Sequence, residues 1–375
     1  MVKRRLAYLC LQATREGQAS YAHVHEIIKG LKRRGWVVNL FEPSYAKVYK
    51  IINPLKRLQE FLRVQLRLWF HIRREKIDIL YIRWHFASFF TVLWARRRRL
   101  PVIQEVNGPY EDLFIAWPWT RHFTKFFIWL MRTQLHMAEA VITVTPQLAS
   151  WVQKETNHDR VYVIPNGADT TLFYPGAMIK PGLLQHIKKP YVIFFGAFAP
   201  WQGIETMLKA LRDPTWPETV YLVIVGDGVG RKLVENASVH TERLIYIGPQ
   251  PYAYMPGLIA NSIAGLCPKN NKGQRSDTGL FPLKLFETLS CGVPVIVTDF
   301  PGMADFVREN SCGLVIPPDK PEALAEAVRY IFENPQIGVE MGMRGRSVIE
   351  KKHSWDARAS VTDKILSMLI QHEEA

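Results

Sequence analysis

Two doubly wound α/β domains in tandem are what this sequence predicts. Three observations lead there. Short, nearly unbroken apolar runs recur along the chain, and such runs mark strands covered on both faces of a parallel sheet. Most are followed by a glycine-bearing turn and then by apolar residues at helical spacing, the strand–turn–helix unit of an α/β sheet. And 375 residues exceed what one hydrophobic core usually holds.

The stretch that organises the rest is GLFPLKLFETLSCGVPVIVTD, Gly279 to Asp299. Pro282 suits a helix start, because its fixed φ fits the first turn and its missing N–H costs nothing there. Leu283 to Ser290 then makes two turns, with Leu285, Phe286 and Leu289 for packing. Gly292 offers a left-handed cap, Pro294 blocks continuation, and Val293 to Thr298 is a buried strand. Two polar side chains, Lys284 and Glu287, are set into this apolar segment. A helix start at the carboxyl edge of a parallel sheet is where phosphates bind.

In chain order, Arg5 to Leu11 is the first strand. The basic start MVKRR and the short apolar run after it faintly resemble a signal peptide, but the run is too short and no small-residue cleavage site follows. A Gly–small–Ser turn, Gly17 to Ser20, precedes a helix with Val24, Ile27, Ile28 and Leu31 on one face, closed by Gly35. Strands follow at Trp36 to Phe41, Ile77 to Arg83, Val102 to Val106, Ala140 to Val144 and Val161 to Pro165. A Gly- and Pro-rich stretch over 174–190 reads as the linker. The first domain is therefore placed at 1–180. The second, at 188–352, repeats the pattern with strands at Tyr191 to Phe195, Val220 to Val225, Leu244 to Ile247, Ile263 to Cys267, Val293 to Thr298 and Leu314 to Ile316. Residues 353–375 form a last helix, expected to cross back to the first domain.

The net charge of +14 is uneven: residues 1–180 hold 28 Lys and Arg against 13 Asp and Glu, and the remainder 20 against 21. Such a field suits an anionic partner. Within it, residues 45–76 place Leu55, Leu58, Phe61, Leu62, Leu66 and Phe70 on one helical face, ringed by Lys56, Arg57, Arg63, Arg67, Arg73 and Arg74. That face either lies on an anionic bilayer or packs on the sheet. A second aromatic and basic run, AWPWTRHFTKFFIWLMRTQLHMAEA, fits headgroup depth or a helix packed between domains. No apolar run reaches the roughly 18–20 residues of a spanning helix. No nucleic-acid recognition motif accompanies the charge. Cys10, Cys267, Cys291 and Cys312 make no Cys-x-x-Cys pair and read as free buried thiols of a reducing compartment. Histidines and cysteines form no metal-ligand cluster, and no Asp-x-Asp occurs.

With these segments in order, the chain resembles the large retaining glycosyltransferase family numbered four. The similarity is carried by VYVIPNGADTTLFYP, GAFAPWQGIETMLKAL, LVIVGDGVGRKLVENA, IYIGPQPYAYMPGLIANSIAGLCP and the PLKLFE segment. The resemblance implies a GT-B architecture: two facing Rossmann-like domains with a cleft between them. It implies transfer of a sugar from a nucleotide-diphosphate donor to an acceptor hydroxyl, with no cofactor beyond the donor. Glu287 matches the second of the family's paired glutamates, which holds the ribose. The first is absent, at Gly279. The family's Arg and Lys in the donor loop are absent too, at Ala197 and Gln202, so Lys284 and then Arg275 are the candidates to neutralise the leaving diphosphate. Gly196, Gln202, Gly226, Gly248, Leu283 and the backbone of Leu280 and Phe281 are expected around the donor, with Gly17 facing its sugar. Asn107 stands where the family often has His and joins Lys284 and Glu287 as a catalytic candidate. The acceptor implied is a glycan or lipid-linked glycan in cell-envelope polysaccharide or glycolipid synthesis, with the protein peripheral on the inner face of the cytoplasmic membrane and no nucleic acid as partner. A catalytically weakened nucleotide-sugar-binding protein of the same fold is the alternative.

Overall fold

The computed structural model describes residues 4–14, 19–47, 53–184, 189–270 and 278–374. The chain divides into two units, Met1–Pro165 with Asp356–Ala375, and Asn166–Trp355.

The first unit is built on six parallel strands: β1 (Arg5–Cys10), β2 (Val37–Phe41), β3 (Ile79–Arg83), β4 (Val102–Val106), β5 (Ala140–Thr143) and β6 (Val161–Val163). Their order is β2-β1-β3-β4-β5-β6, so the order reverses once, between β1 and β3. β3 and β4 are buried end to end; the apolar run of β3 suits a strand covered on both faces, while β4 also buries Gln104 and Glu105. One sheet face carries a core of Leu80, Ile82, Val102, Val106 and Val141 against Phe61, Leu68, Leu130 and Leu135.

The Pro54–Arg74 helix opens with Asn53 capping the Leu55 N–H and Pro54 in the first turn, a pairing that suits an N-terminus. Its buried face is Phe61, Val64, Gln65 and Leu68. Leu55, Leu58, Leu62, Leu66 and Phe70 instead point outward, 39% to 68% exposed. The helix therefore has two apolar faces, and Phe61 parts company with the residues it was grouped with. The Thr124–His136 helix is split likewise: Phe127, Leu130 and Met131 are buried, while Phe126 and Trp129 are exposed, as are Trp119 and Phe123 just before it. Among the described residues no helix is long and apolar enough to cross a membrane.

From Asp356 onward the Trp355–Glu374 helix belongs to the first unit. Asp356 pairs with Arg33 and Arg34, and Asp363 accepts from Trp36 Nε1 at 2.7 Å and from Arg4 at 3.0 Å.

The second unit repeats the plan with β7 (Tyr191–Ala197), β8 (Tyr221–Asp227), β9 (Leu244–Tyr246), β10 (Ala264–Cys267), β11 (Val295–Thr298) and β12 (Gly313–Ile316). The order is β12-β11-β10-β7-β8-β9, reversing between β7 and β10. All pairings are parallel.

The chain enters this unit at Asn166, not in the Gly- and Pro-rich stretch where the linker was expected. Phe173 is fully buried among Tyr191, Ile193 and Leu258, and its carbonyl accepts from Ser290 and Arg346. Apolar burial at Phe173 ties the chain into the second unit before the Gly- and Pro-rich stretch of 174–190 begins. At the far end Ser354 bridges Ala168 and His353 stacks on Phe286 at 5.3 Å, so 353–355 belong here too. Cys10, Cys267, Cys291 and Cys312 are free and buried.

Candidate active site

The carboxyl edge of the second sheet is shaped by what its strands end in. Gly196 and Gly226 are the next-to-last residues of β7 and β8, side by side in register. Both have positive φ, 123° and 135°, where a side chain is strained. A Cβ on Gly226 would run into the Gly196 carbonyl. The Gly226 N–H is donated to the Gly248 carbonyl at 3.0 Å. Glycine at these positions leaves bare backbone at the strand ends.

Into this space comes Lys284, from the first turn of the Leu283–Ser290 helix. Pro282 takes the cap position just before that helix, in extended conformation. Lys284 is 7% exposed. Its Nζ would be 3.5 Å from a Cβ on Gly196, lies 3.8 Å from the centre of the Phe194 ring, and donates to Gln202 Oε1 at 3.1 Å. Burial, with the charge of Lys269 nearby, pushes its ammonium down to about 7. Glu287, one turn on, is also buried. Its carboxylate accepts from the Tyr252 hydroxyl at 2.6 Å, and burial pushes it up to about 7. The two side chains thus reach different partners and are no exposed i, i+3 pair. A polarisable cation and a carboxylate, both inside protein and both balanced near neutrality, suit an incoming group carrying negative charge and hydroxyls.

Two residues at this edge carry no mark in the sequence. Lys269 stands two residues past β10 in a polar loop, yet it is buried. The loop start is pinned there: the Asn270 N–H and Nδ2 reach the carbonyls of Trp201 and Pro200, and Gly203 packs directly on Pro268. Tyr252, which orients Glu287, sits in an otherwise unremarkable PYAYMP turn. The only available signal for Lys269 was its position at the end of a predicted strand.

The remaining donor candidates divide. Gly17 and Arg275 lie outside the described residues. The Leu280 N–H is already donated to the Pro301 carbonyl at 2.9 Å, in a bridge to Gly302, so it does not face a phosphate as expected; pairing with the next loop claims it. The Phe281 carbonyl accepts from Asn166 and its ring packs on Phe286 and Phe306. Gly279 has φ 75° and Leu283 begins the helix. Ala197, beside Gly196, is exposed at the end of β7.

In the first unit Asn107 follows β4 and donates to Glu105 Oε1 at 2.7 Å. Glu105 is fully buried in mid-sheet and anchors a cluster. The hydroxyls of Tyr8 and Tyr81, rings stacked at 4.7 Å, both donate to Oε2 at 2.9 Å. Arg83 donates to Oε1 at 2.5 Å, and His23 lies 3.3 Å away. Burial alone would raise this carboxyl, but His23, Arg83 and the hydrogen bonds from Asn107 and Tyr8 bring it down to about 2. Asn107 is thereby held in one orientation at the strand end.

Two family models match the chain in succession. The model Glycosyltransferase Family 4 matches residues 22–172, and the model Glycosyl transferases group 1 matches residues 179–348. An uncharacterised glycosyltransferase of Methanocaldococcus jannaschii is 21% identical over 89% of this chain and 90% of its own length. A GDP-mannose-dependent alpha-(1-6)-phosphatidylinositol monomannoside mannosyltransferase of Mycobacterium tuberculosis is 27% identical over 52% of this chain, which spans about half, 53%, of that relative. Sucrose-phosphate synthase from Thermosynechococcus elongatus shares the fold with a TM-score of 0.80 at 18% identity, over 98% of this chain and 100% of that one. HepE of Anabaena, solved in complex with UDP-glucose, gives 0.73 at 17% identity, over 97% and 99%. Two Rossmann-like units, matched in order by both models, make this chain a member of glycosyltransferase family 4 with the GT-B fold.

Proposed function

We propose that the enzyme moves a glycosyl group from a nucleotide-diphosphate sugar to an acceptor hydroxyl with retention of anomeric configuration. The observation that carries this is Lys284: a buried cation beside bare glycine backbone, at the switch point of the second sheet. Ligands of doubly wound sheets bind at such points. Relatives named for GDP-mannose and a neighbour solved with UDP-glucose support a donor of this class.

The costly event is departure of the diphosphate. Lys284 and Lys269 supply the positive charge that Ala197 and Gln202 lack, and a fixed cation in a water-poor site is worth far more than one in solvent. Glu287, oriented by Tyr252, accepts hydroxyl hydrogen bonds from the ribose. Asn107, held by Glu105, is assigned to the reacting sugar. The departing phosphate takes the acceptor proton, so no further base is required.

The acceptor is a lipid-linked or envelope glycan, and the protein works at an anionic bilayer on the inner face of the cytoplasmic membrane. The outward stripe of Leu55, Leu58, Leu62, Leu66 and Phe70 supports this. It is flanked by exposed Arg63, Arg67, Arg73 and Arg74, the composition of a helix lying in a charged interface.

Thermal-shift and calorimetric titration against a panel of nucleotide sugars, followed by NMR of the product anomer, tests the reading. One donor should stabilise the protein and yield a product with its own anomeric configuration. An inverted product, or donor affinity unmoved when Lys284 and Glu287 are both changed to Ala, overturns it.

A further inference from the structure

We propose that the first unit holds the apolar chain of an amphiphilic acceptor in a cavity at the carboxyl edge of its sheet, with an anionic head group on Arg57. The word acceptor rests on the transfer reading above; the cavity and its ligand chemistry stand on the first unit alone.

The cavity measures about 280 Å³ and is floored by the residues that follow β1, β3 and β4, where the strand order reverses. Phe61, Trp84, Phe86 and Trp117 wall it. Phe61, Phe86 and Trp117 meet at steep angles, with Phe86 and Trp117 5.8 Å apart at 78° and Phe61 and Trp117 6.1 Å apart at 59°. Sites that enclose a whole drug-sized ligand run to roughly 300–1,000 Å³. This cavity is smaller and suits one end of a molecule. Its aromatic walls favour an apolar end, since burial there removes hydrocarbon from water.

Arg57 supplies the charge. It sits in the first turns of the Pro54–Arg74 helix and lines the cavity. Its guanidinium carbon is 5.4 Å from the centre of the Trp117 ring, and its Nε is buried with no hydrogen-bond partner among the described residues. An open buried donor is rare, and for a guanidinium the fitting complement is a phosphate or carboxylate oxygen. Asp112 also lines the cavity. It lies in the first turn of the Glu111–Ala116 helix, where the helix dipole favours a negative charge, and it packs against the Gly108 backbone. His85, another lining residue, adds no positive charge near neutral pH, because burial pushes its imidazole down to about 3.

The walls say where such a ligand comes from. The helix that offers Phe61 and Arg57 inward offers Leu58 and Leu62 outward, and exposed Ile115 and Trp119 flank Trp117. One pair of elements therefore serves both the cavity and the apolar, basic outer face. That suits a molecule drawn from a bilayer, not from solution.

Decyl phosphate, used below its micelle concentration with the full chain, is the probe. Calorimetry and the fluorescence of Trp84 and Trp117 should report saturable binding at one site. Ala116 is exposed on the cavity rim, and Ala116→Trp should weaken binding about tenfold or more, as excluding two or more methylenes would. Arg57→Gln should bring decyl phosphate to the affinity of decanol, and inorganic phosphate should not displace the probe. Nucleotide-sugar affinity, measured in parallel, should stay unchanged in both variants, so failure here is distinct from failure of the transfer reading. Equal binding in wild type and Ala116→Trp, equal affinity for decyl phosphate and decanol in wild type, or full displacement by inorganic phosphate overturns the proposal. Should Ala116→Trp not fold, as judged by circular dichroism, Arg57→Gln on the half-exposed helix carries the test.

Discussion

The two units follow one plan and finish it differently. Each is a six-stranded parallel sheet whose order reverses once. In the second unit β7, beside that reversal, and its neighbour β8 carry a glycine one residue before their ends, and a lysine and a glutamate lie at that edge. In the first unit the corresponding ends run into Gln12, Trp84, His85 and Asn107, and aromatic rings fill the edge. Topology sets where a ligand can bind; the two or three residues after each strand set what it is. Bare backbone with buried cations selects a compact polyanion. Aromatic walls with one arginine select an amphiphile.

The contrast breaks most sharply at Glu105. Changing it to Ala leaves Arg83 buried without its counter-charge, and losing one partner of a buried pair costs about 3–5 kcal/mol. Urea denaturation should show the loss in the first unit's transition alone. With its carboxyl held at about 2, this group's contribution is fully present above the ordinary carboxylate range and disappears as pH falls through that range towards 2. Acid titration of wild type against Glu105→Gln checks the sign: the variant should lack that part of the acid loss.

Next in size is Lys284→Met. If this cation stabilises the leaving diphosphate, turnover should fall roughly 10²–10³-fold, with a smaller change in KM, in steady-state assays. Unchanged turnover would assign the charge to Lys269 instead.

The pH profile of donor binding is a finer probe. Glu287 gains a proton below about 7 and Lys284 loses one above about 7. Affinity for a nucleoside diphosphate should therefore peak near neutrality and fall by up to about tenfold per pH unit on either side. Glu287→Gln should abolish the acid limb and Lys284→Met the alkaline limb, by calorimetry from pH 5.5 to 8.5.

The smallest effect concerns the outer face. Replacing Leu62 and Leu66 together with Glu should cut partition into phosphatidylserine vesicles by about tenfold while leaving soluble-donor affinity as it was. Flotation at low and high salt measures it.

Much of this was legible in the residues. Apolar runs such as Tyr191 to Phe195 and Val293 to Thr298 located strands, because a strand covered on both faces has few other compositions. The Lys284 and Glu287 helix was legible from its Pro start and Gly stop. The rest needs the third dimension. Lys269 looks like an ordinary loop lysine until Asn270 ties the loop down. The glycines at 196 and 226 are two turn residues in the sequence and a single contact in space. Residues 174–190 read as linker by composition, yet the second unit already begins at Asn166, with Phe173 buried in its core. Leu58 and Phe61 share a sequence stripe, yet a turn of barely four residues sends one to solvent and the other to the core.

The helix from Trp355 to Glu374 has a consequence for how the molecule is made. It brings residues 356–374 back to strands laid down at the very start, with Asp363 holding Arg4 and Trp36. The second unit has all its residues once 355 has emerged. The first must wait, its sheet present but one helix short, until the chain beyond its neighbour is complete. Vectorial synthesis usually favours the amino-terminal domain; here the inner unit has all its residues in hand before the outer one does.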